Sequence, residues 1–109
     1  MDKATLENMA LTHFKNLNVA RAALFSAAEK AIFLGMELDK EKAVAVASGK
    51  FDGKNEETRK AQAREFFASQ YTELAKVENS ERRAKFDFEQ AQTDVDTVKT
   101  LLRIAELAE

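Results

Sequence analysis

One turn-forming segment, Ser48-Gly49-Lys50-Phe51-Asp52-Gly53-Lys54-Asn55, limits what this chain can fold into more than any other feature. It holds two of the three glycines and separates two long stretches that contain no proline. Proline breaks helix interiors and glycine weakens them, so both stretches read as helix and the segment between them as a corner. The chain divides into a first arm over 3–48, a turn over 49–55 and a second arm over 56–108. The expected fold is all-α: a single domain built as a long antiparallel, coiled-coil-like helical hairpin.

Each arm carries a heptad seam. Alternating steps of three and four residues pick out Leu6, Ala10, His13, Leu17, Ala20, Leu24, Ala27, Ala31 and Leu34, of which only His13 is polar. A flanking row of Phe14, Phe25, Ala28 and Ile32 widens the apolar face beyond what one partner helix covers. Gly35 is a weak point, after which Asp39 offers a cap for a short extra helix over 39–48; the alternative is one helix that bends. In the second arm the seam runs Phe67, Gln70 or Tyr71, Leu74, Val77, Glu81, Ala84, Phe88, Ala91, Val95, Val98, Leu102, Ala105. An unbroken second arm would be about 80 Å long, and the polar run around Asn79-Ser80 is where it would bend. Folding the arms about Asp52 pairs residues whose numbers sum to about 104 and leaves Leu101 to Leu107 overhanging.

The 109 residues are 45% hydrophobic, but much of that fraction is alanine, so a lone hairpin has a thin core. Small chains of this kind gain core by oligomerising, and a homo-oligomeric multi-helix bundle is expected. Seventeen basic and 19 acidic residues are well mixed, with no basic stripe for a nucleic-acid polymer. There is no cysteine, and the most apolar stretch is interrupted by Arg21, Glu29 and Lys30. The expectation is a soluble cytoplasmic protein with no membrane span, no disulfide and no cofactor.

Chemistry is concentrated at the turn. A helix start at Asn55 would offer unpaired N–H groups to a phosphate or carboxylate, and glycines allow close backbone approach. Lys50, Lys54, Arg59 and Lys60 supply positive charge, and Phe51 a face on which a base could stack. The plainer alternative is two glycines turning a corner, Asn55 capping a helix and Phe51 plugging the hairpin end, with Glu56 and Glu57 opposing an anion. Gly49 to Lys54 imitates a P-loop but is one residue short and lacks the Ser or Thr after the lysine, which excludes nucleotide hydrolysis by that route.

Elsewhere, His13 reads as a register-setting polar residue in the seam. Phe66, Phe67 and Tyr71 read as core at the loop end. Arg82 and Arg83, beside Glu81, read either as a solvated ionic layer or as an arginine pair for anions. Neither a metal-ligand cluster nor a nucleophile with its base can be assembled, so no enzyme activity and no metal are expected.

The segment Phe51-Asp52-Gly53-Lys54-Asn55-Glu56-Glu57-Thr58-Arg59-Lys60-Ala61-Gln62 resembles a turn-helix signature of small, mostly uncharacterised helical proteins of tailed bacteriophages. There a G-K-N turn is followed by acidic residues, an arginine and A-Q. The resemblance covers about a dozen residues. It implies a phage or prophage accessory protein acting in the host cytoplasm. By analogy with small phage oligomers that counter host immunity, it implies sequestration of a cyclic nucleotide signal.

Two functions follow. The first is a non-catalytic module holding a small phosphate-bearing ligand through Lys50, Phe51, Gly53, Lys54, Asn55 and Arg59, joined by Arg82 and Arg83 of a neighbouring subunit. The second is a structural or protein-interaction module that binds partner helices through its apolar faces.

Overall fold

A computed structural model of the chain describes residues 1–108 and contains, among them, three helices and no strand: α1, Lys3–Ala47; α2, Glu56–Phe66; and α3, Ala68–Ala108. The long helices α1 and α3 pack antiparallel as the arms of a helical hairpin. Asp2 opens α1: its carboxylate accepts a hydrogen bond from the Thr5 N–H at 2.7 Å, and its carbonyl accepts from Leu6. Hydrogen bonding from Thr5, side chain and backbone, holds the Asp2 carboxyl below its ordinary value.

Contacts divide the chain into two compact units. The first joins Met1–Ser26 to the chain from Glu81 onward. Its core is Leu17, Ala91 and Val95, with Ala20 and Phe88 packed against them, and Leu6 and Val98 are also buried. Lys99 lies over the Phe14 ring at 5.5 Å and Arg21 over Phe88 at 5.9 Å. The second unit, Ala27–Ser80, contains the turn, α2 and the flanking ends of both long helices. Leu38, Ala45 and Phe67 form its core, with Phe51, Tyr71 and Leu74 against them.

Both heptad seams are where the periodicity places them. Leu6, Leu17 and Ala31 are buried and the other six first-arm positions half-buried, and in the second arm the seam passes through half-buried Tyr71 rather than exposed Gln70. The register is different. Phe14–Lys99, Arg21–Phe88 and Lys42–Tyr71 have numbers summing to 113, 109 and 113, a slip of roughly one heptad from the expected 104. A heptad slip returns the same kind of residue to the seam, so hydrophobic pattern alone does not separate the two registers. With the slip, Leu102 and Ala105 are half-buried rather than overhanging, while Leu101, Ile104 and Leu107 stay exposed.

The expected interruptions are also relocated. α1 runs unbroken through Gly35 and Asp39, so there is no separate helix over 39–48; a Cβ at Gly35 would meet nothing within 4 Å. A single glycine costs a long helix only about 1 kcal/mol. α3 runs unbroken through Asn79 and Ser80. The break falls at Phe67 instead, where φ −101° and ψ 23° leave the helical region for one residue. Hydrogen bonds from Phe67 to Ala63 and from Tyr71 to Phe67, both 2.9 Å, carry the arm across it. Phe67 is the most buried side chain of its unit, at 3% exposure.

His13 is half-buried in the seam and its Nδ1 is buried without a hydrogen-bond partner among the described residues. A desolvated polar atom without a partner costs about 1–3 kcal/mol, and an apolar replacement removes that cost. His13→Leu should therefore raise the melting temperature by several degrees, by circular dichroism, about 1 kcal/mol of stability. A lowered melting temperature would show that the imidazole does necessary structural work.

Candidate functional site

The turn is built as two interlocking caps. α1 ends in a Schellman arrangement: Gly49 has φ +73°, its N–H donates to the Val46 carbonyl, and the Lys50 N–H donates to the Ala45 carbonyl, both at 3.1 Å. The Ser48 hydroxyl donates to the Val44 carbonyl at 2.7 Å. Six residues later Asn55 caps α2 in extended geometry, its Oδ1 accepting from the Thr58 N–H at 2.8 Å and from the Thr58 hydroxyl at 2.9 Å. Glu56 and Glu57 occupy the first turn of α2, where the helix dipole favours carboxylates.

Between the caps, Gln62 ties the loop to α2. Its Oε1 accepts from the Gly53 N–H and its Nε2 donates to the Asp52 carboxylate, each at 2.9 Å. Arg59 donates through Nη1 to the Gly53 carbonyl at 3.0 Å. Gly53 sits so close to α2 that a Cβ there would lie 2.7 Å from Thr58 Cγ2 and 2.8 Å from Thr58 Cβ. The loop's underside is aromatic: Phe51, Phe66 and Phe67 meet edge to face with centroids 4.9–6.1 Å apart. Phe66 is 52% exposed, not core, and carries the Lys50 ammonium 4.4 Å above its ring.

The sequence-predicted ligand residues are thus largely engaged with one another. Gly53, Asn55 and Arg59 close the turn, Lys50 lies on Phe66, and Phe51 plugs the hairpin end. Lys54 is exposed with no hydrogen bond or ion pair among the described residues. Arg82 and Arg83 belong to the first unit and are not part of this cluster; Arg83 pairs with Asp87 at 3.4 Å and lies over Phe86.

A different concavity lies beside the turn. Lys42 and Val46 of α1, Phe51 of the loop, Glu56, Arg59, Lys60, Ala63 and Arg64 of α2, and Tyr71 of α3 line a groove of about 480 Å³. Four cations face one carboxylate, and that carboxylate, Glu56, is bridged to Lys60 at 3.3 Å. Phe51, Arg59 and Lys60 were legible as candidates from the turn's composition. Lys42, Arg64 and Tyr71 were not, because the slipped register, which sets Lys42 5.4 Å from the Tyr71 ring, was not.

Among the described residues no three His, Cys, Asp or Glu side chains converge as metal ligands, and no helix is long and apolar enough to cross a membrane. Comparisons with protein-family models, with curated proteins and with solved structures find no match. The phage resemblance of Phe51 to Gln62 therefore rests on those dozen residues alone.

The glycines give a graded test of the turn. Gly53→Ala drives a Cβ into Thr58 and should cost about 2 kcal/mol, on the order of 10 °C in melting temperature. Gly35→Ala in the α1 interior should lose nothing and gain up to about 1 kcal/mol. Equal melting temperatures for the two variants would contradict the packed turn.

Proposed function

We propose that this chain is a non-catalytic structural module that associates with further copies of itself through a second apolar face of α1. The observation that carries this reading is the face opposite the seam in the second unit. Ile32, Phe33, Met36 and Val44 are 63, 61, 65 and 63% exposed. Met36 and buried Leu38 are two residues apart, which sets them about 200° apart around the helix. The α1 surface is therefore apolar on both sides here, and soluble monomers rarely leave such a patch open.

The face is self-complementary. Glu29, Phe33, Met36, Lys40 and Val44 follow one another at steps of four, three, four and four residues, a seam of its own. Two copies packed antiparallel about a two-fold between Leu34 and Gly35 bring Phe33 of each onto Met36 of the other, and Glu29 of each onto Lys40 of the other. Among the described residues neither Glu29 nor Lys40 has an ion-pair or hydrogen-bond partner. Covering the four side chains on each copy gives on the order of 10 kcal/mol by apolar burial. Association costs about 4–15 kcal/mol, so assembly through this face alone depends on concentration.

The charge pair supplies the test. Glu29→Lys sets two lysines against each other twice in the pair and should weaken self-association by about tenfold or more in sedimentation velocity. Adding Lys40→Glu to the same chain should restore it, and with it any helicity by circular dichroism that the single variant loses on dissociating. A single variant that associates like the parent, or a double variant that stays dissociated, would exclude this interface.

A further inference from the structure

The groove between the end of α1 and α2 combines three properties that the turn itself lacks. It is positive, with Lys42, Arg59, Lys60 and Arg64 against Glu56 alone, in a chain whose net charge is −2. It has uncommitted cations: Lys42 makes only its contact with the Tyr71 ring, and Arg64 makes no hydrogen bond or ion pair among the described residues. It also presents aromatic rings, Phe51 and Tyr71, in the same concavity as those cations. Its volume of about 480 Å³ lies within the ordinary range for a small-molecule site.

We infer that this groove binds a nucleoside phosphate, with the phosphate held by Arg64 and Lys42 and the base against Phe51 or Tyr71. Guanidinium and ammonium groups without protein carboxylates recognise phosphate oxygens by charge-assisted hydrogen bonds, the guanidinium in bidentate fashion. Any planar base offers a face for stacking on an aromatic side chain. Arg59 keeps N–H groups beyond the one it gives to the Gly53 carbonyl, so it helps neutralise the phosphate without opening the turn. Polymeric nucleic acid is disfavoured because basic and acidic residues are mixed along the rest of a chain that is acidic as a whole. The inference stands apart from self-association, which uses another face of α1.

Tyr71 is the chain's one tyrosine and there is no tryptophan, so intrinsic emission reports directly on the groove. Full-length protein titrated with AMP at low salt should show saturable heat in calorimetry and, after inner-filter correction, a saturable change in Tyr71 emission. Adenosine and inorganic phosphate, titrated separately, should each bind at least about tenfold more weakly. Arg64→Gln and Lys42→Gln should each weaken AMP binding by about tenfold, since neither residue holds the fold together through an ion pair. Arg83→Gln, in the other unit, should leave it unchanged. Absence of heat and of emission change up to millimolar AMP would overturn the inference. So would AMP binding unaffected by the Lys42 and Arg64 variants, phosphate binding as tightly as AMP, or affinity for single-stranded oligonucleotides that rises with length.

Discussion

Two helices lying side by side share one buried stripe, and every other position on either helix is left to face outward. In this chain the shared stripe is modest. Leu6, Leu17, Val95 and Val98 in one unit and Leu38, Phe67 and Val77 in the other are its large buried members, with alanines filling the rest. Alanine allows close approach of the backbones but contributes little apolar area. The larger side chains Phe25, Ile32, Phe33 and Met36 sit outside that stripe and remain exposed. Exposed side chains of this size are the motive for the self-association proposed above. The palindromic spacing of Glu29, Phe33, Met36 and Lys40 favours a second copy as their cover.

The turn determines which residues the shared stripe brings together. A heptad pattern is indifferent to slips of seven, so some feature outside the seam has to select the register. Here that feature is the pair of caps on Gly49 and Asn55, locked by Gln62 to Gly53 and Asp52. The one-residue break at Phe67 then inserts an aromatic ring into the core before α3 begins. Capping and packing cooperate, because the same loop that closes α1 delivers Phe51 onto Phe66 and Phe67.

Much of this was legible from the residues. Seam positions, the two arms, the Asn55 cap and the corner at the glycines all follow from local rules that act within a few residues. What escaped depends on distant contacts. Gly35 and Asn79 are plausible interruptions by propensity, yet α1 and α3 run through them unbroken, as one weak position costs a long helix only about 1 kcal/mol. Phe67 has no helix-breaking chemistry, and its break shows only in three dimensions. The candidate site moved for the same reason. Arg59 and Asn55 look available on a loop, but Gly53 and Thr58 are their partners, while Lys42 reaches Tyr71 only in the slipped register.

Sedimentation equilibrium read alongside far-ultraviolet circular dichroism, across dilution from micromolar to nanomolar chain, is the most direct measurement of whether the arms suffice alone. Insufficient apolar cover within one chain predicts a species larger than a monomer at the upper concentrations and a loss of helical signal as it dissociates. A fully helical, sharply melting monomer at the lowest concentration would contradict that account.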